Sequence, residues 1–175
     1  MEKYFLKEIK KMQGSLIAFG LTNDKLKQEI EKNDNINTCY LLDSTSNFNK
    51  KKLKIFNRGK TINIKKIKKI FKKKRIDNVI ANYQTIKPFL KTFVRDSVYI
   101  NKNKLYIYGT KEDYDDIIQR YKRYTNKIEV KKENDYFIII INNIDTTNNK
   151  IKDICYWWKD TFTSIADFLT VILVN

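Results

Sequence analysis

The sequence predicts an α/β domain: a three-layer sandwich whose mostly parallel sheet ends in an antiparallel β-hairpin, plus a C-terminal helix. Three observations carry this expectation. Short apolar runs alternate with helix-period segments up to residue 124, the order of a parallel sheet covered by helices on both faces. Two strand-like runs then follow at 127–131 and 136–142, joined by Glu133-Asn134-Asp135, which reads as a hairpin. Residues 151–169 finally repeat Ile151, Cys155, Trp158, Phe162, Ile165 and Leu169 on one helical face.

Each element has a local cause. Phe5, Leu6, Ile9 and Met12 stand at helical spacing over residues 2–12, and Gly14 is expected to end that helix. Ser15 to Leu21 is a short apolar run bounded by Gly14 and by Thr22-Asn23-Asp24, as a buried central strand would be. Asn23 or Asp24 can cap the next helix, which turns Leu26, Ile30 and the stem of Lys27 inward. Asn33-Asp34-Asn35 makes a turn, and Ile36 to Leu42 is a second strand ending at Asp43. Residues 44–52 are polar and basic. Leu53 to Phe56 is a short third strand, closed by Asn57-Arg58-Gly59.

Ile62 to Phe71 carries an apolar helical stripe with lysines opposite. Ile76 to Ala81 is a fourth strand, and Ile86 to Phe93 a helix around Pro88 in its first turn. Val98 to Ile100 is expected to be extended, and Leu105 to Tyr108 to be a fifth strand closed by Gly109. Glu112 to Tyr124 is a helix with Tyr114, Ile117, Ile118 and Tyr121 inward. The boundaries expected are a main domain over 1–150 and a C-terminal helical extension over 151–175 packed on it.

Composition narrows the chemistry. A chain of 175 residues suits one domain with a real core, since 42% of it is hydrophobic. There is no histidine, which removes Ser-His-Asp and Cys-His mechanisms and leaves Asp, Glu, Lys, Tyr, Asn or Cys for any proton chemistry. The two cysteines, Cys39 and Cys155, stand far apart and read as reduced core residues, so no zinc or other metal site is expected. The N-terminus lacks an apolar signal core. The most apolar stretch, Phe162 to Val174, is too short for a membrane span and contains Asp167, so a cytoplasmic location is expected.

The formal net charge is +16. Such an imbalance suits a polyanionic partner, although an AT-rich genome that favours Lys, Asn and Ile codons produces the same composition. Residues 60–75 hold nine lysines and arginines and no acid. Lys65, Lys66, Lys68, Lys69 and Lys72 would form a cationic helix face able to neutralise RNA phosphates, or simply a solvated outer face. Trp157 and Trp158 point in different directions from a helix, and the apolar tail Leu169 to Val174 needs cover. The C-terminal helix is therefore a candidate homodimer contact.

The segment Asp77-Asn78-Val79-Ile80-Ala81-Asn82-Tyr83, then Phe89-Leu90, then Leu105-Tyr106-Ile107-Tyr108-Gly109, resembles part of the class I S-adenosylmethionine-dependent methyltransferases. The likeness is to that family's fourth strand and exit loop, the following helix and the fifth strand. Together with the closing hairpin it spans roughly residues 10–142 and rests on layout. It implies a Rossmann-like fold that binds S-adenosylmethionine at the carboxyl ends of its first strands. The glycine-rich cofactor loop corresponds to Phe19-Gly20-Leu21-Thr22-Asn23-Asp24, where Gly20 remains and Leu21 and Thr22 carry side chains in place of glycines. Asp43 stands where the family places an acid on the ribose hydroxyls. An Asp at a strand end is also an ordinary turn former.

Where many family members carry Asn or Asp, two prolines and an aromatic, this chain reads Asn82-Tyr83-Gln84-Thr85. Asn82 would orient a nucleophile's lone pair and Tyr83 would stack on a base. The competing reading is a polar loop that caps the next helix. Two functions stay open: a methyltransferase acting on or binding RNA, and a non-catalytic basic module for nucleic acid or a protein partner. The space beside Gly20, an open cleft or one filled by Leu21 and its neighbours, separates them.

Overall fold

The computed structural model describes residues 2–21, 23–42, 53–55, 71, 75–110, 114–133, 135–142 and 144. The loop expected over 44–52, nearly all of the helix expected over 62–71 and the helix expected over 151–169 lie outside them.

The helices are α1 (Glu2–Lys11), α2 (Asp24–Lys32), α3 (Tyr83–Ile86), α4 (Leu90–Ile100) and α5 (Asp115–Tyr121). The strands are β1 (Gly14–Phe19), β2 (Ile36–Leu42), β3 (Leu53–Ile55), β4 (Ile76–Asn82), β5 (Asn101–Thr110), β6 (Ile128–Glu133) and β7 (Tyr136–Asn142). They form one seven-stranded sheet in the order β3-β2-β1-β4-β5-β7-β6. Every pair from β3 to β5 is parallel, and β7 then inserts antiparallel between β5 and β6. The mostly parallel sheet with a reversed closing hairpin is as expected.

Strand periodicity divides the interior into two layers. Leu16 and Ala18 of β1, Ile80 of β4, Tyr106 and Tyr108 of β5 and Ile138 and Ile140 of β7 face α1 and α2, where they pack with Phe5, Ile9, Leu26 and Ile30. The alternate residues Ile17, Phe19, Val79, Ala81, Leu105, Ile107 and Ile139 face the other way, against α3, α4 and α5. Both faces of the sheet are covered, which is why β1, β4 and β7 read as continuous apolar runs. Among the described residues no helix is long and apolar enough to cross a membrane.

Local chemistry sets the ends. Asn23 caps α2, its Oδ1 accepting from the Leu26 N–H at 3.1 Å, and Lys27 lies buried with its ammonium 3.0 Å from Asp24. Asn33 does more than turn the chain. Its Nδ2 donates to the carbonyls of Ile9 and Met12 at 2.6 and 3.0 Å, while its Oδ1 accepts from the Asn35 N–H. One buried amide thus partners the Met12 carbonyl past the end of α1 and adds a second bond to that of Ile9, which already accepts from the Met12 N–H. At the sheet edge, Lys131 and Lys132 of β6 lie over the rings of Tyr4 and Tyr114 at 4.7 and 5.2 Å. Lysines on an edge strand discourage further strand pairing.

Four expectations change. The helix placed at 86–93 is three pieces: α3, a 3₁₀ turn over Lys87–Phe89, and α4. Pro88 has no N–H to donate, so the tighter turn carries the chain past it. Val98 to Ile100 is the last turn of α4, with Val98 and Ile100 buried, and β5 begins directly at Asn101. The helix placed at 112–124 has regular α-structure over Asp115–Tyr121. Gly14 does not end α1. It opens β1 at φ +81°, and a side chain there would collide with the Asp77 carboxylate, whose Cγ lies 2.8 Å from the position of a Cβ.

That carboxylate ties β1 to β4. Asp77 Oδ2 accepts from the Ser15 N–H and from the Ser15 hydroxyl, both at 2.8 Å, and the Asp77 N–H donates back to the hydroxyl at 3.0 Å. Lys102 Nζ is 3.4 Å from Oδ1. Burial alone would raise the Asp77 pKa, but the hydrogen bonds from Ser15 and the Lys102 ammonium outweigh it and hold the carboxyl below its usual range. A depressed carboxyl stabilises the fold above its unfolded pKa of about 3.9, and that contribution is lost as pH falls through the lower folded value. Asp77→Asn should cost about 1.5 kcal/mol at pH 7, the lower end for charge-assisted bonds because the group is partly exposed. Denaturant titrations should show the gap between wild type and Asp77→Asn shrinking below about pH 4. A gap unchanged down to pH 2 would refute the assignment.

Candidate functional site at the carboxyl edge of the sheet

The carboxyl ends of β1, β4 and β5 come together where ligands bind in open parallel sheets. Gly20 leaves β1 at φ +63°, in the left-handed region. Its α-carbon faces Thr85 on α3: a methyl group added at Gly20 would lie 2.5 Å from Thr85 Cβ and 2.7 Å from its Cγ2. Leu21 turns away into the layer beneath α1 and α2, where it is 1% exposed. The side of Gly20 on which a Cβ would stand is therefore filled, and the side chain that fills it is Thr85, not Leu21.

The start of α3 is clamped from several sides. Asn82 Oδ1 accepts from the Gln84 N–H at 3.0 Å, which makes Asn82 the N-cap of α3. Tyr83 is 3% exposed, and its ring meets Phe137 edge-on at 5.7 Å. Gly109 of β5 lies against it, with Tyr83 Cβ 2.9 Å from where a Gly109 Cβ would stand. Gln84 Nε2 donates to Thr110 Oγ1 at 2.8 Å, and the Tyr108 hydroxyl donates to the Gly20 carbonyl at 3.3 Å. Helix α3 thus bridges the exits of β1 and β5 with its own side chains.

The residues expected to form a site divide accordingly. Gly20, Asn82 and Tyr83 are brought to one edge, with Asn82 capping a helix and the Tyr83 ring in the core. Asp43, Lys65, Lys66, Lys68, Lys69 and Lys72 lie outside the described residues, as do Cys155, Trp157 and Trp158. Thr85 was not among the candidates. Its mark in the sequence is its place as the last residue of Asn82-Tyr83-Gln84-Thr85, four residues after the end of the Ile76 to Ala81 run.

S-adenosylmethionine is the cofactor that the methyltransferase resemblance implies. Its methionine part needs backbone exposed at the glycine loop. With Thr85 seated on Gly20, a ligand cannot approach that α-carbon from the side on which a Cβ would stand, and on that side the described residues of the loop leave the cofactor no room. Three buried groups of the described residues are pushed away from neutrality. Burial pushes the Cys39 thiol up to about 12. Burial also drives Tyr121 well above the phenol range against the opposing Ser97 bond, and burial together with the Glu8 carboxylate does the same to Tyr106. Among the described residues no three Cys, Asp or Glu side chains gather to hold a metal.

No protein-family model matches the sequence, and no curated protein matches it either. Solved structures do. TrmK of M. capricolum, bound to S-adenosyl-homocysteine, is similar over 95% of this chain and 86% of its own, with TM-score 0.51 and 16% identity. Streptococcus pneumoniae Sp1610, a candidate tRNA (m1A22) methyltransferase solved with S-adenosyl-L-methionine, is similar over 82% and 74%, with TM-score 0.54 and 12% identity. An O-methyltransferase family protein from Burkholderia thailandensis reaches TM-score 0.59 at 10% identity; 82% of this chain spans 56% of that one. At such identities the likeness is one of fold. The sheet order, the reversed hairpin and these neighbours agree: the chain has a class I methyltransferase-like fold in a divergent form.

Proposed function

We propose that this chain is a non-catalytic nucleic-acid-binding module built on a methyltransferase scaffold. The observation that carries the reading is the contact of Thr85 with Gly20. It fills one side of the glycine that the loop offers for close approach of a ligand to the backbone. The use of Asn82 as a cap and of Tyr83 as core supports the same conclusion, since both groups already have structural work. The net charge of +16 supplies the partner class: contacts to phosphates dominate nucleic-acid affinity and need no cleft. The active-enzyme reading is supported by the sheet order and by Gly20 itself, with Gly20 and Asp43 on S-adenosylmethionine.

Thermal shift with millimolar S-adenosylmethionine or S-adenosyl-homocysteine decides between them. A ligand at a hundred times its Kd stabilises the native state by about 2.7 kcal/mol, which moves Tm by several degrees. No shift is expected. A saturable shift that Asp43→Ala removes would establish the enzyme reading instead.

The packing claim has its own test. Gly20→Ala should destabilise by roughly 2–4 kcal/mol, from the left-handed backbone and from overpacking against Thr85. In Thr85→Gly, the same Gly20 substitution should cost only the backbone part, about 1–2 kcal/mol. Additive costs in a double-mutant cycle would show that the two residues do not touch.

For the partner, filter binding of single-stranded RNA should weaken linearly on a log–log plot against salt. Replacing Lys65, Lys66, Lys68, Lys69 and Lys72 by Gln should reduce the slope by about 0.7 for each phosphate no longer neutralised. Binding that ignores salt, or a slope unchanged in that variant, would defeat the assignment to the basic segment.

A further inference from the structure

The opposite, amino edge of the sheet carries a cleft of about 280 Å³ under the end of α1. Its polar wall is made by Glu8, Lys11, Gln13, Asn78, Asn103 and Lys104, and Tyr106 and Met12 close its inner side. Strand periodicity assembles it: Asn78 shares the α1 face with Ile80, and Lys104 shares it with Tyr106.

Glu8 organises the wall. It is 7% exposed, and its Oε2 accepts from the Tyr106 hydroxyl at 3.1 Å. Lys11 Nζ lies 3.3 Å from Oε1 and Lys104 Nζ 3.9 Å from Oε2, while both lysine side chains remain largely open to solvent. A buried carboxylate thus draws two ammoniums to one mouth. Lys11 gives one of its three donors to Glu8 and Lys104 pairs with it by charge alone, so two ammoniums face one carboxylate and donors remain to spare. Deeper in, the Asn78 Nδ2 is committed to the Gln13 carbonyl at 2.8 Å, which holds that amide in a fixed orientation with its oxygen as acceptor. The Gln13 amide adds donors and an acceptor, and Asn103, whose Nδ2 reaches Asp77 Oδ1 at a long 3.5 Å, adds its amide oxygen and its second N–H.

We propose that this cleft binds one nucleotide, with the phosphate at Lys11 and Lys104 and the amides of Gln13, Asn78 and Asn103 on the edges of the base or ribose. Amides offer paired donors and acceptors that match base edges, and lysine is a point-charge binder of phosphate. A bare anion would use the lysines alone, and a chain of sugars would find no exposed aromatic platform. The volume lies just under the range for drug-sized ligands, about 300–1,000 Å³, which suits a single unit. A free nucleotide and a nucleotide within an RNA strand share this chemistry. The proposal deepens the nucleic-acid reading and rests on it for the strand alone; it uses none of the residues in the basic segment. Lys102 lies along the same edge, where a strand would run on.

Calorimetry on the full chain with adenosine 5′-monophosphate, uridine 5′-monophosphate and inorganic phosphate tests the cleft. A competition assay with labelled single-stranded RNA tests the source. At least one nucleotide should bind, more tightly than phosphate. Lys104→Gln and Asn103→Ala, both at solvent-accessible positions, should each weaken it about tenfold, while Lys122→Gln just after α5, on the other face, should not. Circular dichroism melts confirm that the variants fold. Displacement of RNA by the nucleotide assigns the strand to the cleft; a nucleotide that binds without displacing RNA assigns a free nucleotide. No nucleotide binding, equal binding of phosphate, or affinity unchanged in both variants overturns the proposal. RNA binding that persists in that case leaves the nucleic-acid reading intact. Nucleotide binding with no RNA binding overturns that reading and keeps the cleft.

Discussion

Strand β1 is bracketed by two glycines in the left-handed region, and β4 and the helix α3 that follows it supply the side chains that face them. At the amino end Gly14 makes room for the Asp77 carboxylate, which also binds the Ser15 backbone and hydroxyl. At the carboxyl end Gly20 makes room for Thr85. Parallel strands cannot be set in register by a tight turn between them, because their connection crosses over the sheet. A side chain lodged at each end does that work here, and the pairing Leu16↔Asn78 through Phe19↔Ala81 follows. The other strands are added outward from this pair.

The same bracket limits chemistry at one edge and leaves room at the other. Where β1 and β4 exit, the chain closes on itself: Thr85 sits on Gly20, Gln84 reaches Thr110, and Tyr108 reaches the Gly20 carbonyl. Among the described residues, Asn82 Oδ1, Gln84 Nε2 and the Tyr108 hydroxyl at this edge are spent on the fold. At the amino edge the strands spread beneath the end of α1. There Glu8 and Tyr106 bury their polar atoms against one another while two lysines remain at the surface. Buried polar atoms need partners, and meeting that need positions the charges around the cleft.

Much of the layout could be read in advance. The apolar runs of β1, β2, β4 and β7 stood out because a sheet covered on both faces has no polar alternation to confuse with a helix. The hairpin announced itself through Glu133-Asn134-Asp135. Asn82 was visible both as a catalytic candidate and as a cap, and the hydrogen bond to Gln84 shows it capping. The continuation of α4 through Ile100 was hidden, because Val98, Tyr99 and Ile100 favour a strand by local preference while packing on the sheet holds them in a helix. Gly14 looked like a helix stop because a lone glycine after an amphipathic run usually is one; the reason it is glycine lies 63 residues away in Asp77.

The sequence by itself determined the class of fold, the alternation of elements and the cationic character, since these follow from periodicity and composition, which are local sums along the chain. Only the tertiary structure decided what lies beside Gly20, what Asn33 and Glu8 bind, and where a cleft remains. Those outcomes depend on which distant side chains share a few cubic ångströms once the strands pair, and Thr85 carries no signal of its destination until β4 is laid next to β1.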